Sequence, residues 1–269
     1  MIVDPVQRAA LVDRLAAAGC VAAEQEADEL LVAAASPAEL DAFAARRADG
    51  EPLPWIVRHA TFAGLRIRSD VGVYVPRPQS ELVARAALAL LPDRGIAYDV
   101  ATGSGAIAAL LAAHRPGAAV IGLDLDPRAV ACARGNGVDA RVSDLLAELE
   151  PTHAGRVDVV VAVPPYVPTP HLPLLARDTL AFEDARWYDG GPEGIDVLAR
   201  LAAQAGRALA PDGALVVELG ADQAGLVAPA LHRAGLAVDR VLADEEGDVR
   251  GLVAVRSPRS GALGEPQVG

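Results

Sequence analysis

Apolar residues recur at helical spacing through the first fifty positions: Leu11 and Leu15, then Leu30 and Leu31 behind an acidic stretch, then Leu40 and Phe43. Gly19 and the Ser36-Pro37 pair separate these runs. Gly19 suits a helix C-terminus, and Ser36, with Pro37 and Glu39 behind it, suits an N-terminus. The pattern predicts a small helical unit over 1–50, too short to be an enzyme alone. A Gly/Pro-rich linker follows, then two short strands at 61–67 and 71–75 about Arg68-Ser69-Asp70, so that 51–78 reads as linker and β-hairpin. From Ser80 the rhythm becomes alternating. Strands are expected at 97–101, 119–124, 157–163 and 214–219, with helices after Ser80, Gly105 and Pro127 and over 195–209 and 223–234. This predicts an α/β domain over 79–256, a doubly wound, mostly parallel sheet, with 237–242 and 252–256 able to pair antiparallel at one edge. Residues 257–269 have the composition of a flexible tail.

Composition narrows the partners. Of 269 residues 52% are hydrophobic, enough for one large core or an ordinary core with a small companion. All 24 basic residues are arginines, and the formal net charge of −12 argues against nucleic acid as the main partner. Cys20 and Cys132 stand far apart in no metal-like spacing, and the five histidines form no ligand set, so no metal is expected and a reducing cytoplasm is the default. The N-terminus lacks the apolar core of a signal peptide. No window approaches the roughly 18 uninterrupted apolar residues of a membrane span.

Candidate chemistry centres on 98–108, YDVATGSGAIA, where a strand breaks into a glycine turn and restarts as a helix. Gly103 and Gly105 permit a sharp turn and close approach of a ligand, and the first amides of the helix offer donors. The string also fits the G-x-G-x-x-A form of the dinucleotide fingerprint, so an NAD-dependent oxidoreductase stays open. Asp124 ends the next strand, where a carboxylate can accept from both hydroxyls of a ribose; NAD and S-adenosylmethionine share that contact. Asp144 is placed to accept from an adenine amino group, with Leu145 beside the ring. Asp99 is placed to orient the loop or to meet a cationic cofactor end. Asp124 and Asp144 can equally cap the helices that follow them. After the 157–163 strand, Pro164-Pro165-Tyr166 fixes an extended backbone at the sheet's carboxyl edge and supplies an aromatic wall.

These motifs together resemble the class I S-adenosylmethionine-dependent methyltransferases, and within them the HemK-like protein-(glutamine-N5) methyltransferases that modify peptide release factors. The resemblance runs through Pro76-Arg77-Pro78-Gln79-Ser80-Glu81, Thr102-Gly103-Ser104-Gly105, Asp124, Asp144, Pro164-Pro165-Tyr166, Asp189-Gly190-Gly191 with Gly194, and Glu218-Leu219-Gly220 with Gln223. It covers nearly the whole chain. It implies a Rossmann-like fold, a substrate-recognition role for the N-terminal helices, and S-adenosyl-L-methionine held by Asp99, Thr102, Gly103, Gly105, Asp124, Leu125, Asp144, Leu145 and Val163. Pro164 and Tyr166 would position the acceptor, beside Arg77, Val163, Pro165, Trp187 and Tyr188.

The departures lie on the acceptor side. The family carries asparagine before Pro-Pro-Tyr, where it holds the acceptor amide; this chain carries Val163, which cannot hydrogen-bond. The usual acid and threonine of the Pro-Arg-Pro motif are Gln79 and Ser80, and Trp187-Tyr188 replaces a small apolar pair. The expected acceptor is therefore a small amine, guanidine or amino acid, with Glu183 as counter-charge for a cationic one. A release-factor glutamine is the alternative, and a cofactor-binding protein without activity a further one.

Overall fold

The computed structural model describes residues 5–256, so the reading of 257–269 as a tail lies outside the described residues. The three expected N-terminal helices are α1 (Pro5–Ala17), α2 (Ala23–Ala33) and α3 (Pro37–Ala48). Ser36 Oγ accepts from the Glu39 amide at 3.2 Å, while Glu39 Oε2 accepts from the Ala35 amide at 2.7 Å, a reciprocal cap that starts α3. Leu15, Ala27 and Leu30 are fully buried in a core that these helices share.

The 51–78 stretch is more ordered than a linker. Pro54 in the first turn starts a short helix, α4 (Leu53–Val57), which buries Trp55, Ile56 and Val57. The hairpin exists, but its strands are β1 (His59–Phe62) and β2 (Leu65–Arg68), and 71–75 is not a strand. The physical reason is the turn. Ala63 and Gly64 both take positive φ, 47° and 81°, the geometry of a two-residue hairpin turn, so the chain reverses there rather than at Arg68-Ser69-Asp70.

The larger unit alternates as expected: α5 (Glu81–Leu90), β3 (Ile96–Val100), α6 (Ala106–His114), β4 (Ala119–Asp124), α7 (Pro127–Gly135), β5 (Asp139–Val142), β6 (Val157–Ala162), α8 (Arg177–Phe182), α9 (Asp196–Ala208), β7 (Leu209–Glu218), α10 (Gln223–Arg233), β8 (Leu236–Ala243) and β9 (Val249–Arg256). They form a seven-stranded sheet in the order β5-β4-β3-β6-β7-β9-β8. β5 to β7 are parallel; β9 runs antiparallel to both β7 and the edge strand β8. Val159, Val160, Val161 and Ala162 of β6 are all 0% exposed, as a central strand covered on both faces requires.

Two cores flank the sheet, one gathering α9 and α10, the other α5 and α6. On the α6 face the fit is tight at Gly105. Its φ is +81°, and a Cβ there would stand 2.9 Å from Ala133 Cβ and 3.1 Å from Ala133 Cα. Gly64 in the hairpin turn has the same φ but nothing within 4 Å. Gly64→Ala should therefore cost about 1 kcal/mol from backbone strain alone, and Gly105→Ala at least about 3 kcal/mol from strain plus overpacking. Urea unfolding of the two variants checks the difference.

Candidate active site

β3 and β6 lie side by side, yet the chain after β3 crosses to β4 on one flank while β6 stands on the other. The loops that follow them diverge, and a crevice opens at the carboxyl ends. A cavity of about 710 Å³ fills it, within the range of about 300–1,000 Å³ common for small-molecule sites.

The loop after β3 turns through three left-handed residues, Ala101 (φ 57°), Gly103 (54°) and Gly105 (81°). Ala101 is not a glycine, so this conformation carries strain that the surroundings must hold. Asp99 does so from beneath. It is 1% exposed and accepts from Thr102 Oγ1 at 2.5 Å and from the Ala108 amide at 3.0 Å. Burial pushes its carboxyl up to about 7 even though both donors pull the other way. Asp99 and Thr102 do not line the large cavity; both border a separate space of about 30 Å³ together with Ser80 and Val163. Of the two placements open to Asp99, the structure takes loop orientation.

Asp124 faces the cavity. Its Oδ2 accepts from the Gly103 amide and its Oδ1 from the Asp126 amide, each at 2.9 Å, which leaves a second lone pair on each oxygen. Burial raises its pKa against those two amides. It does not cap α7; Asp126 does, accepting from the Arg128 amide at 2.8 Å. Asp144 caps no helix either. Its Oδ2 accepts from Arg200 at 2.5 Å, and both side chains are about half exposed, so the pair contributes at most about 1 kcal/mol and leaves Oδ1 open to the cavity. Leu125 and Leu145 line the same wall, Leu145 with a φ of 55°.

Opposite, Val163, Pro164, Pro165 and Tyr166 line the cavity, and no described residue donates to the Pro164 carbonyl. This segment is clamped from behind. Gln223 Nε2 donates to the carbonyls of Tyr166 at 2.6 Å, Glu193 at 3.1 Å and Gly194 at 3.2 Å. A Cβ on Gly194 would collide with the Tyr166 carbonyl, so the glycine is required by close approach. Tyr166 Oη donates to Glu218 Oε1 at 2.8 Å, a partner the sequence reading placed in a motif without a role.

The segment from Val167 to Asp189 folds over the cavity, and Trp187 and Tyr188 stand in its lining with Tyr74. The ring of Tyr74 meets those of Trp187 and Tyr188 edge-on at 6.2 and 5.8 Å, and the Arg77 guanidinium lies 5.5 Å from its centroid. Burial pushes the Tyr74 phenol up to about 12. Three of the chain's four tyrosines and one of its two tryptophans thus line one cavity.

Glu183 requires correction. It does not line the cavity: its Oε1 accepts from Arg77 at 2.5 Å and its Oε2 from Tyr188 Oη at 2.5 Å, with 2% of the side chain exposed. Its charge is matched by a fixed guanidinium, so it cannot serve as counter-charge to a cationic acceptor. Asp184 pairs with Arg186, and Asp189 accepts from Thr169 Oγ1 and the Gly191 amide. The acids of the segment hold the fold over the cavity. Among the described residues no cluster suits a metal ion, and no helix is long and apolar enough to cross a membrane.

The model of the Methyltransferase small domain matches residues 65–179. A release factor glutamine methyltransferase of Rhodospirillum rubrum is 36% identical over 235 residues, 86% of this chain and 72% of that protein. A 4-amino-L-phenylalanine/4-methylamino-L-phenylalanine methyltransferase of Streptomyces pristinaespiralis is 35% identical over 247 residues, 82% of this chain and 84% of that protein. The crystal structure of a methyltransferase from Pyrococcus furiosus shares the fold, with a TM-score of 0.51 at 20% identity over 72% of this chain and 90% of that one. These matches make the chain an S-adenosylmethionine-dependent methyltransferase and set NAD aside.

The raised carboxyl of Asp99 makes a linkage prediction. An acid whose folded pKa lies near 7 binds its proton more tightly folded than unfolded, so its contribution to stability is full below about pH 4 and is lost as pH rises to 7. Asp99→Asn should remove that part of the slope, up to about 1.4 kcal/mol per pH unit. Unfolding free energies of both proteins between pH 4 and 7 measure it.

Proposed function

We propose, for a chain that belongs to the HemK-like family of S-adenosylmethionine-dependent methyltransferases, that the methyl acceptor is a small molecule bearing a neutral amine, such as the amino group of an arylamine. The observation that carries this reading is Val163. It stands in the cavity wall at the position where the family carries the asparagine that holds a glutamine amide. An amide nitrogen has its lone pair delocalised into the carbonyl and needs two acceptors to align its hydrogens; an amine owns its lone pair and needs orientation alone. This wall offers the Pro164 carbonyl and the Tyr166 hydroxyl, with an apolar side chain between them and the cofactor loop.

S-adenosylmethionine, when bound, supplies a methyl carbon already activated by its sulfonium. The chain's own contribution is placement. Asp124 keeps a lone pair on each carboxylate oxygen for a diol, Gly103 leaves the loop open to close approach, and Leu125, Leu145 and the free oxygen of Asp144 suit an adenine. Tyr74, Trp187 and Tyr188 shape an aromatic chamber for the acceptor, bordered by the segment from Val167 to Asp189. Because Arg77 neutralises Glu183, the chamber favours a neutral amine over a guanidinium. The relative that acts on 4-amino-L-phenylalanine supports an acceptor of this kind.

A release-factor glutamine is the second reading. The name of the Rhodospirillum relative favours it, and the N-terminal helices would then serve as the protein-recognition surface.

Transfer of radiolabelled methyl groups into a fractionated bacterial lysate separates the two. We expect label in the small-molecule fraction; label in a protein of release-factor size overturns the proposal. Val163→Asn should lower turnover of the small acceptor about tenfold or more with S-adenosylhomocysteine affinity unchanged. A gain of glutamine methylation in that variant would instead identify a release-factor enzyme that has lost its amide contact.

A further inference from the structure

Glu218 ends β7 with 1% of its surface exposed, and its Oε2 is buried with no hydrogen-bond partner, whereas both oxygens of the buried Glu183 carboxylate are bonded. Its Oε1 accepts from Tyr166 Oη at 2.8 Å and from Gln79 Nε2 at 3.3 Å, and Gln79 Nε2 also reaches Tyr166 Oη at 3.4 Å. No described cation pairs with it; the nearby Arg77 is bound to Glu183 and Arg250 to Asp244. A buried carboxylate with one unsatisfied oxygen and no cation is destabilising, and such a group persists where it has work to do. Tyr166 and Gln79 line the cavity while Glu218 does not, so the Tyr166 hydroxyl connects the carboxylate to the space where an acceptor would sit.

We infer that Glu218 is the proton acceptor of the methyl transfer, acting through the Tyr166 hydroxyl. This rests on the reading above that the acceptor nitrogen lies beside Tyr166. As the nitrogen's lone pair forms the new N–C bond, the donor's C–S bond breaks and its electron pair stays on sulfur. The surplus proton of the nitrogen passes to Tyr166 Oη, and the phenol's own proton passes to Glu218 Oε1. One positive charge leaves the sulfonium and one negative charge leaves the carboxylate, so the site ends neutral. Asp99 is committed to the loop, Glu183 to Arg77 and Asp189 to Thr169 and Gly191, while Asp124 and Asp144 stand on the opposite wall. Gln79 acquires a reason as well. Its amide donates to Glu218 Oε1, where an acid would set a second negative charge against the buried carboxylate.

Two cofactor analogues test this without an acceptor. S-adenosylhomocysteine is a neutral thioether; sinefungin carries an amine where the sulfonium methyl would be, and so presents a cation toward Tyr166. Calorimetric titration of both against wild type, Glu218→Gln and Tyr166→Phe gives the ratio of their affinities. The ratio should favour sinefungin at least tenfold more in wild type than in either variant, with S-adenosylhomocysteine within about threefold throughout. Tyr166→Phe carries the test if Glu218→Gln does not fold. An unchanged ratio with S-adenosylhomocysteine still bound overturns the role of Glu218; no binding of S-adenosylhomocysteine to wild type overturns the cofactor site itself, and the inference with it. With the acceptor that the lysate experiment identifies, Glu218→Gln should lower kcat about 100-fold.

Discussion

The parting of β3 and β6 is the constraint on which the rest depends. Their backbones are bonded in register up to Val100 and Ala162, and one residue later the chains must separate, because α6 returns to β4 on one side while β6 stands on the other. The two exits solve this differently. Ala101, Gly103 and Gly105 turn through positive φ and lead directly into α6, whereas Pro164 and Pro165 keep the second chain extended until Gln223 captures the Tyr166 carbonyl. One wall therefore presents the acids Asp124 and Asp144 and the other presents prolines and rings. A methyl donor and its acceptor need that asymmetry.

The distribution of buried charge follows the same edge. Of 36 acidic residues, the buried ones among those described are Asp99, Glu183 and Glu218, and all three stand around the crevice. Each reduces the cost of burial in its own way. Asp99 sits under two donors and titrates near neutrality, Glu183 takes a guanidinium and a phenol, and Glu218 takes two donors on one oxygen and none on the other. The first holds the cofactor loop and the second holds the cover. The third touches Gln79 and Tyr166, and the Gln223 clamp already fixes Tyr166 through its backbone. Glu218 is set apart by a buried oxygen without a donor and by a phenol that leads from its other oxygen to the cavity.

Much of this was legible along the chain. Alternation from Ser80 onward gave the sheet, Gly103 and Gly105 gave the sharp turn into α6, and Pro164-Pro165-Tyr166 lies across the crevice from Asp124 as its position after a strand required. The hairpin lies earlier than its pattern predicts because alanine rarely takes a φ of 47°, and Ala63 carries no turn signal of its own beside Gly64. The linker hid a helix because two prolines that punctuate a sequence can also start a helical turn. Glu183 was misjudged for a different reason. Its partner Arg77 is 106 residues away, and no local pattern reports that an acid has been neutralised by a cation from another loop. The pairing of Tyr166 with Glu218, 52 residues apart, was invisible for the same cause.

The neutralisation of Glu183 and the isolation of Glu218 bear on the acceptor together. A site built for a cation would aim a free carboxylate at it, and the acid closest to that description is locked to Arg77. A site built for an amide would supply two fixed acceptors for its hydrogens, and Val163 removes one of them. What the wall retains is a phenol backed by a carboxylate, which does nothing to hold a substrate in its ground state and everything to receive a proton once the nitrogen has become positively charged. That combination suits a nitrogen that arrives neutral, with its lone pair available, and becomes acidic only as the new bond forms. An arylamine meets all three conditions, and the ring it brings fits a chamber lined by Tyr74, Trp187 and Tyr188 in a chain that has few aromatic residues to spend elsewhere.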